Sequence, residues 1–225
     1  MNPFIEFTLS SFVALFPIVN PIGNAPSFLL LTQTYTPEQR HQTALRVAFY
    51  IFLILSLFLL AGSGILRFFG ISLEVIRIAG GIVVFHSAWG MLNADPKLSE
   101  SENQESQKKS DIAFFPMAMP LLAGPGAIAV TLGLSAQSGR TILLPTLLNL
   151  LAVWVGIGLV VVLCYFSLWA SEWLLKGLGE TGIKTFTRIF GFLILAVGVQ
   201  LILHGLQDWF NTVGIVNLTA TKLGD

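Results

Sequence analysis

The chain has 225 residues, 54% of them hydrophobic and 11% charged, with zero formal net charge and a mean hydropathy of +0.79. A soluble domain carries about a quarter charged residues, so the shortage of charge points to lipid as the solvent rather than to a large aqueous core. The neutral balance, with no run of Lys or Arg, argues against nucleic acid as a partner, and a single cysteine, Cys164, excludes an intrachain disulfide or a cysteine-ligated metal site.

The N-terminal stretch, Met1-Asn-Pro-Phe-Ile-Glu-Phe7, has no basic residue ahead of its apolar run. A cleaved signal peptide is therefore not expected, and the first apolar run is read as part of the mature protein. A spanning helix takes roughly 20 mostly apolar residues, within a range of about 17–25. Charges divide the chain into six such stretches, and the sequence predicts helices near 4–31, 44–66, 75–92, 112–134, 142–169 and 186–206. A soluble helical bundle would need a polar face on each helix, and residues 50–61 offer none.

Lys and Arg in the loops set orientation. One face receives Arg40, Arg46, Lys97, Lys108, Lys109, Lys176 and Lys184, the other Arg67, Arg140 and Lys222, while Arg77 and Arg188 start the third and sixth helices on opposite faces and cancel. Seven against three places the first face in the cytoplasm and both termini on the other side. Tyr35, Tyr165, Trp169, Trp173 and Trp209 fall near predicted helix ends, as interfacial anchors do. The polar, mixed-charge segment 94–111 contains no aromatic residue and reads as a flexible cytoplasmic linker between two three-helix units, 1–93 and 112–225, of a single transmembrane domain.

The two units share landmarks. Pro17-Ile-Val-Asn-Pro-Ile-Gly23 and Pro120-Leu-Leu-Ala-Gly-Pro-Gly126 each place a proline six residues before a glycine, with a further helix breaker (Pro21, Gly124) between. Arg77-Ile-Ala-Gly80 and Arg188-Ile-Phe-Gly191 match at the starts of helices three and six. A repeated unit with an odd number of spans inserts upside down, so the expected fold is an all-α integral membrane protein of six transmembrane helices arranged as two inverted three-helix repeats.

Helices one and four should be broken. Pro17, Pro21 and Pro26 with Gly23 in the first, and Pro116, Pro120 and Pro125 with Gly124 and Gly126 in the fourth, remove backbone donors and crowd the carbonyls four residues earlier. Backbone freed at membrane depth must be buried in protein or line a polar cavity. Asn20 and Asn24, four apart, would present both amides on one side of a helical turn, uncharged but rich in donors and acceptors. The half-helix N-termini beyond the breaks would offer N–H groups and partial positive charge to an anionic group such as a carboxylate. The candidate substrate site is therefore Asn20, Pro21, Gly23, Asn24, Ala123, Gly124, Pro125 and Gly126. The competing reading is structural: kinked helices packed through small residues, with the Asn amides joining neighbours. His86, in the middle of helix three, is the candidate proton carrier, against the alternative that it bridges two helices by hydrogen bonds.

Four motifs in order, Asn20-Pro-Ile-Gly-Asn-Ala-Pro-Ser-Phe28, Arg77-Ile-Ala-Gly-Gly-Ile82, Pro120-Leu-Leu-Ala-Gly-Pro-Gly-Ala127 and Thr187-Arg-Ile-Phe-Gly191, resemble the MarC family of bacterial and archaeal inner-membrane proteins. The resemblance covers nearly the whole chain. It implies six spans with both termini periplasmic and, for some members, transport of small neutral amino acids such as glycine and alanine.

Three functions of different classes stand at this point. A secondary transporter or exporter of small neutral amino acids (glycine, alanine, serine) agrees with the twin breaks, the Asn pair and the resemblance, and leaves a proton or sodium ion as coupling ion. An ion channel or ion exporter is the alternative, but the spans lack the carboxylates that a charged pore would show. A membrane enzyme would need a nucleophile beside a base, an HExxH or paired carboxylates on a span, and none occurs; no cofactor or metal is expected.

Overall fold

The computed structural model describes residues 2–93, 112–138 and 143–213, and among these the chain is helical with no strand. The expected linker 94–111, the cations Lys97, Lys108, Lys109, Arg140 and Lys222, and both chain ends lie outside the described residues.

Helix α1 spans Pro3–Val19. The Asn2 side chain accepts the Phe4 N–H at 3.0 Å, and Pro3 takes the first helical position, where its missing N–H costs nothing. The helix ends at Asn20, whose left-handed conformation (φ 47°, ψ 60°) lets its N–H reach the Phe16 carbonyl at 3.0 Å. A short helix, α2 (Ala25–Leu31), follows the break.

Helix α3 runs over Pro37–Phe68, starting seven residues ahead of the predicted 44–66. Its first turns are polar and so fall outside any hydropathy criterion, but a capping box starts them: Thr36 Oγ1 accepts the Gln39 N–H while the Gln39 side chain accepts the Thr36 N–H. Gly70, at φ +65°, turns the chain into α4 (Leu73–Asn93).

The segment α5 (Ala113–Leu122) is a wide, irregular helical stretch. It is extended at Phe115 (φ −124°, ψ 126°) and at Met119 (φ −132°, ψ 122°). Each precedes a proline, whose ring disfavours helical geometry in the residue before it. Helix α6 (Pro125–Ser138) leaves at 66° to α5. Helix α7 covers Leu143–Trp169, and α8 covers Ser171–Val213, with a break at Gly179 whose φ of +66° and ψ of 172° suit glycine alone.

Four of these helices are long and apolar enough to cross a membrane: α3, α4, α7 and the part of α8 beyond Gly179. The bent α5–α6 pair makes a fifth. The predicted count was six; α1, with 17 residues, is about 25 Å long against a hydrocarbon core of about 30 Å.

The outward stripes are those of a lipid-solvated protein. On α3, Leu45, Phe49, Leu53, Leu57 and Leu60 recur at helical spacing and are all exposed. On α7, Leu147, Leu151, Val155, Leu159, Val162 and Phe166 do the same. Contiguous apolar faces of this size are not tolerated in water. The interior mixes apolar residues (Leu15, Phe28, Ile51, Leu55, Met117, Ile157) with hydroxyls. Most of these hydroxyls satisfy themselves on the carbonyl four residues back, as Thr8, Ser11, Thr32, Thr131 and Ser138 do. Ser135 Oγ instead crosses to the Leu59 carbonyl at 2.6 Å and ties α6 to α3.

The most extensive packing is α4 against α8, antiparallel and very close. A Cβ at Gly81 would sit 2.7 Å from the Gly198 carbonyl, one at Gly198 would sit 2.8 Å from the Phe85 nitrogen, and one at Gly205 would sit 2.9 Å from the Glu74 carbonyl. Helix α1 packs on α7, α5 and α6 pack on α3, and α3 meets α7 across the centre.

Candidate functional site: two helix breaks

Residues 20–24 form the first break, and their hydrogen bonds explain its shape. Asn20 Oδ1 accepts the Gly23 N–H at 3.2 Å; Asn24 donates its N–H to the Asn20 carbonyl at 3.2 Å. The Asn24 amide nitrogen donates to the carbonyls of Asn20 (3.1 Å) and Val19 (3.3 Å), two of the acceptors left over at the end of α1. Half of each Asn amide is thus spent on holding the break, a use that the spacing of the two residues did not reveal. Asn20 Nδ2 and Asn24 Oδ1 have no partner among the described residues. Pro21 lies buried within the turn and Pro26 opens α2, supplying no N–H. Gly23 leaves room for the Asn20 amide: a Cβ there would lie 2.1 Å from Asn20 Nδ2, so the Asn20 side chain would have to move.

The second break is Ala123 and Gly124. The buried Ala123 donates its N–H to the Ala118 carbonyl at 2.7 Å, and Gly124 O accepts the Ile128 N–H at 3.0 Å, opening α6. A Cβ at Gly124 would meet the Pro120 carbonyl at 2.3 Å. Pro125, exposed, takes the first helical position. The N–H groups of the buried Gly126 and Ala127 have no acceptor among the described residues, so the N-terminus of α6 carries unspent donors inside the protein.

The two breaks approach each other at Gly126. A Cβ there would lie 3.2 Å from Ile18 Cγ2 on the last turn of α1, 3.7 Å from Val84 Cγ2 and 3.9 Å from Ser87 Oγ on α4. Ser87 donates to the Val83 carbonyl and is itself exposed, so it borders accessible space beside the start of α6. Neither broken span carries an Asp, Glu, Lys or Arg, over 7–37 or 112–139.

His86 does not join this group. It lies on the α4 stripe of Ile82 and Trp89, both exposed, while Gly80, Val84 and Ala88 are buried and Ser87 borders the start of α6. Two residues enter that the sequence reading passed over. Ser87 is one. The other is Thr187, whose buried Oγ1 has no partner among the described residues, on a helix that packs against α1, α2 and α4. Its signal was available: Thr187 opens the fourth motif, but as an uncharged residue beside Arg188 it drew no chemical reading.

Lipid-facing Leu and Phe stripes, long apolar helices and interior-facing helix breaks together define an integral membrane protein with several spans. The chain belongs to the MarC family: the model described as MarC family integral membrane protein matches residues 5–210. Among its relatives, the UPF0056 membrane protein YvbG of Bacillus subtilis is 37% identical over 210 residues, covering 91% of this chain and 96% of that protein. The UPF0056 membrane protein YhcE of Escherichia coli is 34% identical over 202 residues, covering 88% and 91%. A UPF0056 membrane protein of Aquifex aeolicus is 33% identical over 211 residues, covering 92% and 96%. No solved structure matches the chain.

Proposed function

We propose that this protein is a secondary transporter or exporter of small neutral amino acids across the cytoplasmic membrane, without an enzymatic step. The observation that carries the reading is the meeting of the two breaks at Gly126. There, the unspent backbone N–H groups at the start of α6 meet the last turn of α1 at Ile18, two residues before Asn20, where neither span contributes a charge. A carboxylate suits the N-terminus of α6, and an ammonium suits carbonyls that proline leaves unpaired. A charged substrate side chain would find no counter-ion at that depth, at a cost of several kcal/mol.

In this reading α1 and α2 form one broken span, giving six in all with both termini periplasmic, and the two halves form inverted repeats. The packing supports that plan. Each broken helix lies against the second helix of the other half, α1 on α7 and α5–α6 on α3, while the third helices, α4 and α8, pair with each other antiparallel. An operation that exchanges the halves reproduces this set of neighbours. Alternating access then amounts to one half rocking against the other around the breaks, with a proton or sodium ion as the coupling ion.

Uptake of labelled alanine into proteoliposomes, with and without imposed proton and sodium gradients, tests the proposal. Accumulation above protein-free vesicles is the expected result. Ion flux indifferent to every amino acid offered would replace it with the ion channel or exporter reading.

A further inference from the structure

At the start of α3, away from both breaks, Tyr35, Gln39, Gln42, Thr43 and Arg46 line a cavity of about 340 Å³ closed on one side by Ile112 and Ala113. Its hydrogen-bonding capacity is mostly donor. Gln39 has used its side-chain oxygen on the Thr36 N–H, which leaves its amide N–H groups. Thr43 has spent its hydroxyl hydrogen on the Gln39 carbonyl, and Gln42 gives one N–H to Glu38 at the rim and keeps the other, so Gln39, Tyr35 and Arg46 supply most of the donors left. The Tyr35 hydroxyl has no partner among the described residues. Arg46 is exposed and forms no ion pair among them, in contrast to Arg40, which pairs with Glu172, and Arg77, which pairs with Asp208.

Depth identifies the environment. Arg46 is the last charged residue before the apolar run 47–66 of α3, so its guanidinium sits where the hydrocarbon ends and the lipid headgroups begin. A planar guanidinium flanked by neutral donors is the arrangement that recognises a tetrahedral oxyanion, which can accept two of its N–H groups at once. Among the described residues, no carboxylate lines the cavity to oppose an anion.

We propose that this cavity is a phosphate-binding site, held by Arg46 with Gln39 and Tyr35 as further donors, for the headgroup of an anionic phospholipid or for free phosphate. It is separate from the proposed substrate site and does not depend on what that site carries.

The test uses the full chain in detergent, with thermal unfolding followed during titration with short-chain phosphatidylglycerol, inorganic phosphate and, as control, short-chain phosphatidylcholine. Stabilisation by phosphatidylglycerol alone assigns the lipid headgroup, and stabilisation by phosphate as well assigns the phosphate group itself. In either case Arg46→Gln should weaken the response by about tenfold or more, the usual value of a charge-assisted contact. Arg67→Gln, at the other end of α3, should leave it intact. Tyr35→Phe, which removes one hydroxyl, gives an intermediate loss and serves if Arg46→Gln does not fold. A wild-type protein indifferent to both anions, an Arg46→Gln protein that responds as wild type, or an equal loss in Arg67→Gln would overturn the site.

Discussion

A methyl group at Gly23 would arrive on the Asn20 amide, whereas one at Gly126 would press only on a side-chain methyl of Ile18. The two glycines therefore differ in kind, although the sequence presents them as equivalents in a repeat. Gly23→Ala should expel the Asn20 side chain, break its bond to the Gly23 N–H and lower stability by about 1–3 kcal/mol, read as a fall in unfolding temperature in detergent. Gly126→Ala should stay near wild-type stability but narrow the proposed pocket by one methyl, reducing alanine uptake by roughly 10- to 200-fold. If Gly126→Ala transports normally, the breaks are packing features. Asn24→Ala leaves the Val19 carbonyl without its side-chain donor and the Asn20 carbonyl with the Asn24 backbone N–H alone, so it should cost about 1–3 kcal/mol of stability in addition to any loss of binding.

Among the elements, the α4–α8 pair is the clearest case of close packing. Gly191, Gly198 and Gly205 fall every seven residues along α8, and Cβ atoms on them would meet Met91, Phe85 and Ile78 of α4. Helices in lipid gain little from burying apolar surface, so backbone approach through small residues holds them together. Gly198→Leu should separate the two helices at a cost of about 1–3 kcal/mol or more. Gly64→Ala, with nothing within 4 Å of the added carbon, should be neutral or stabilise α3 by about 0.5–1 kcal/mol. Comparing the two unfolding temperatures checks the seam, and equal effects would remove it as the reason for the glycines.

The elements also show what a sequence can and cannot disclose. Both breaks were legible because proline and glycine act on their own backbone: Phe115 and Met119 are extended for reasons that lie one residue away. The glycine period in α8 was equally visible in the sequence, yet the helix that it faces was not, because a small residue says only that something comes close. The early start of α3 was missed by reading hydropathy alone, with the Thr36–Gln39 capping box in plain view. His86 stood out as ionisable in an apolar helix, but which face of α4 it takes is decided by the Gly81–Gly198 contact, a long-range fact.

For the whole molecule, the Lys and Arg bias of the loops predicts that both termini lie in the periplasm. A reporter active only in the periplasm should give signal when fused after Leu206 and none when fused within 99–109; the reverse pattern would invert the proposed topology. The two ion pairs, Arg40 with Glu172 and Arg77 with Asp208, each join the first half to α8, one near the start of that helix and one near its end. In the proposed topology they lie at the two opposite membrane faces.

The central claim is that one uncharged site between the breaks selects a small zwitterion. The most direct measurement is counterflow of labelled alanine in proteoliposomes preloaded with unlabelled alanine, with other amino acids as competitors. Glycine and serine should inhibit strongly, tryptophan should be excluded by size, and lysine and glutamate should compete poorly for want of a counter-charge. Strong inhibition by lysine or glutamate, with none by glycine or serine, would contradict the account.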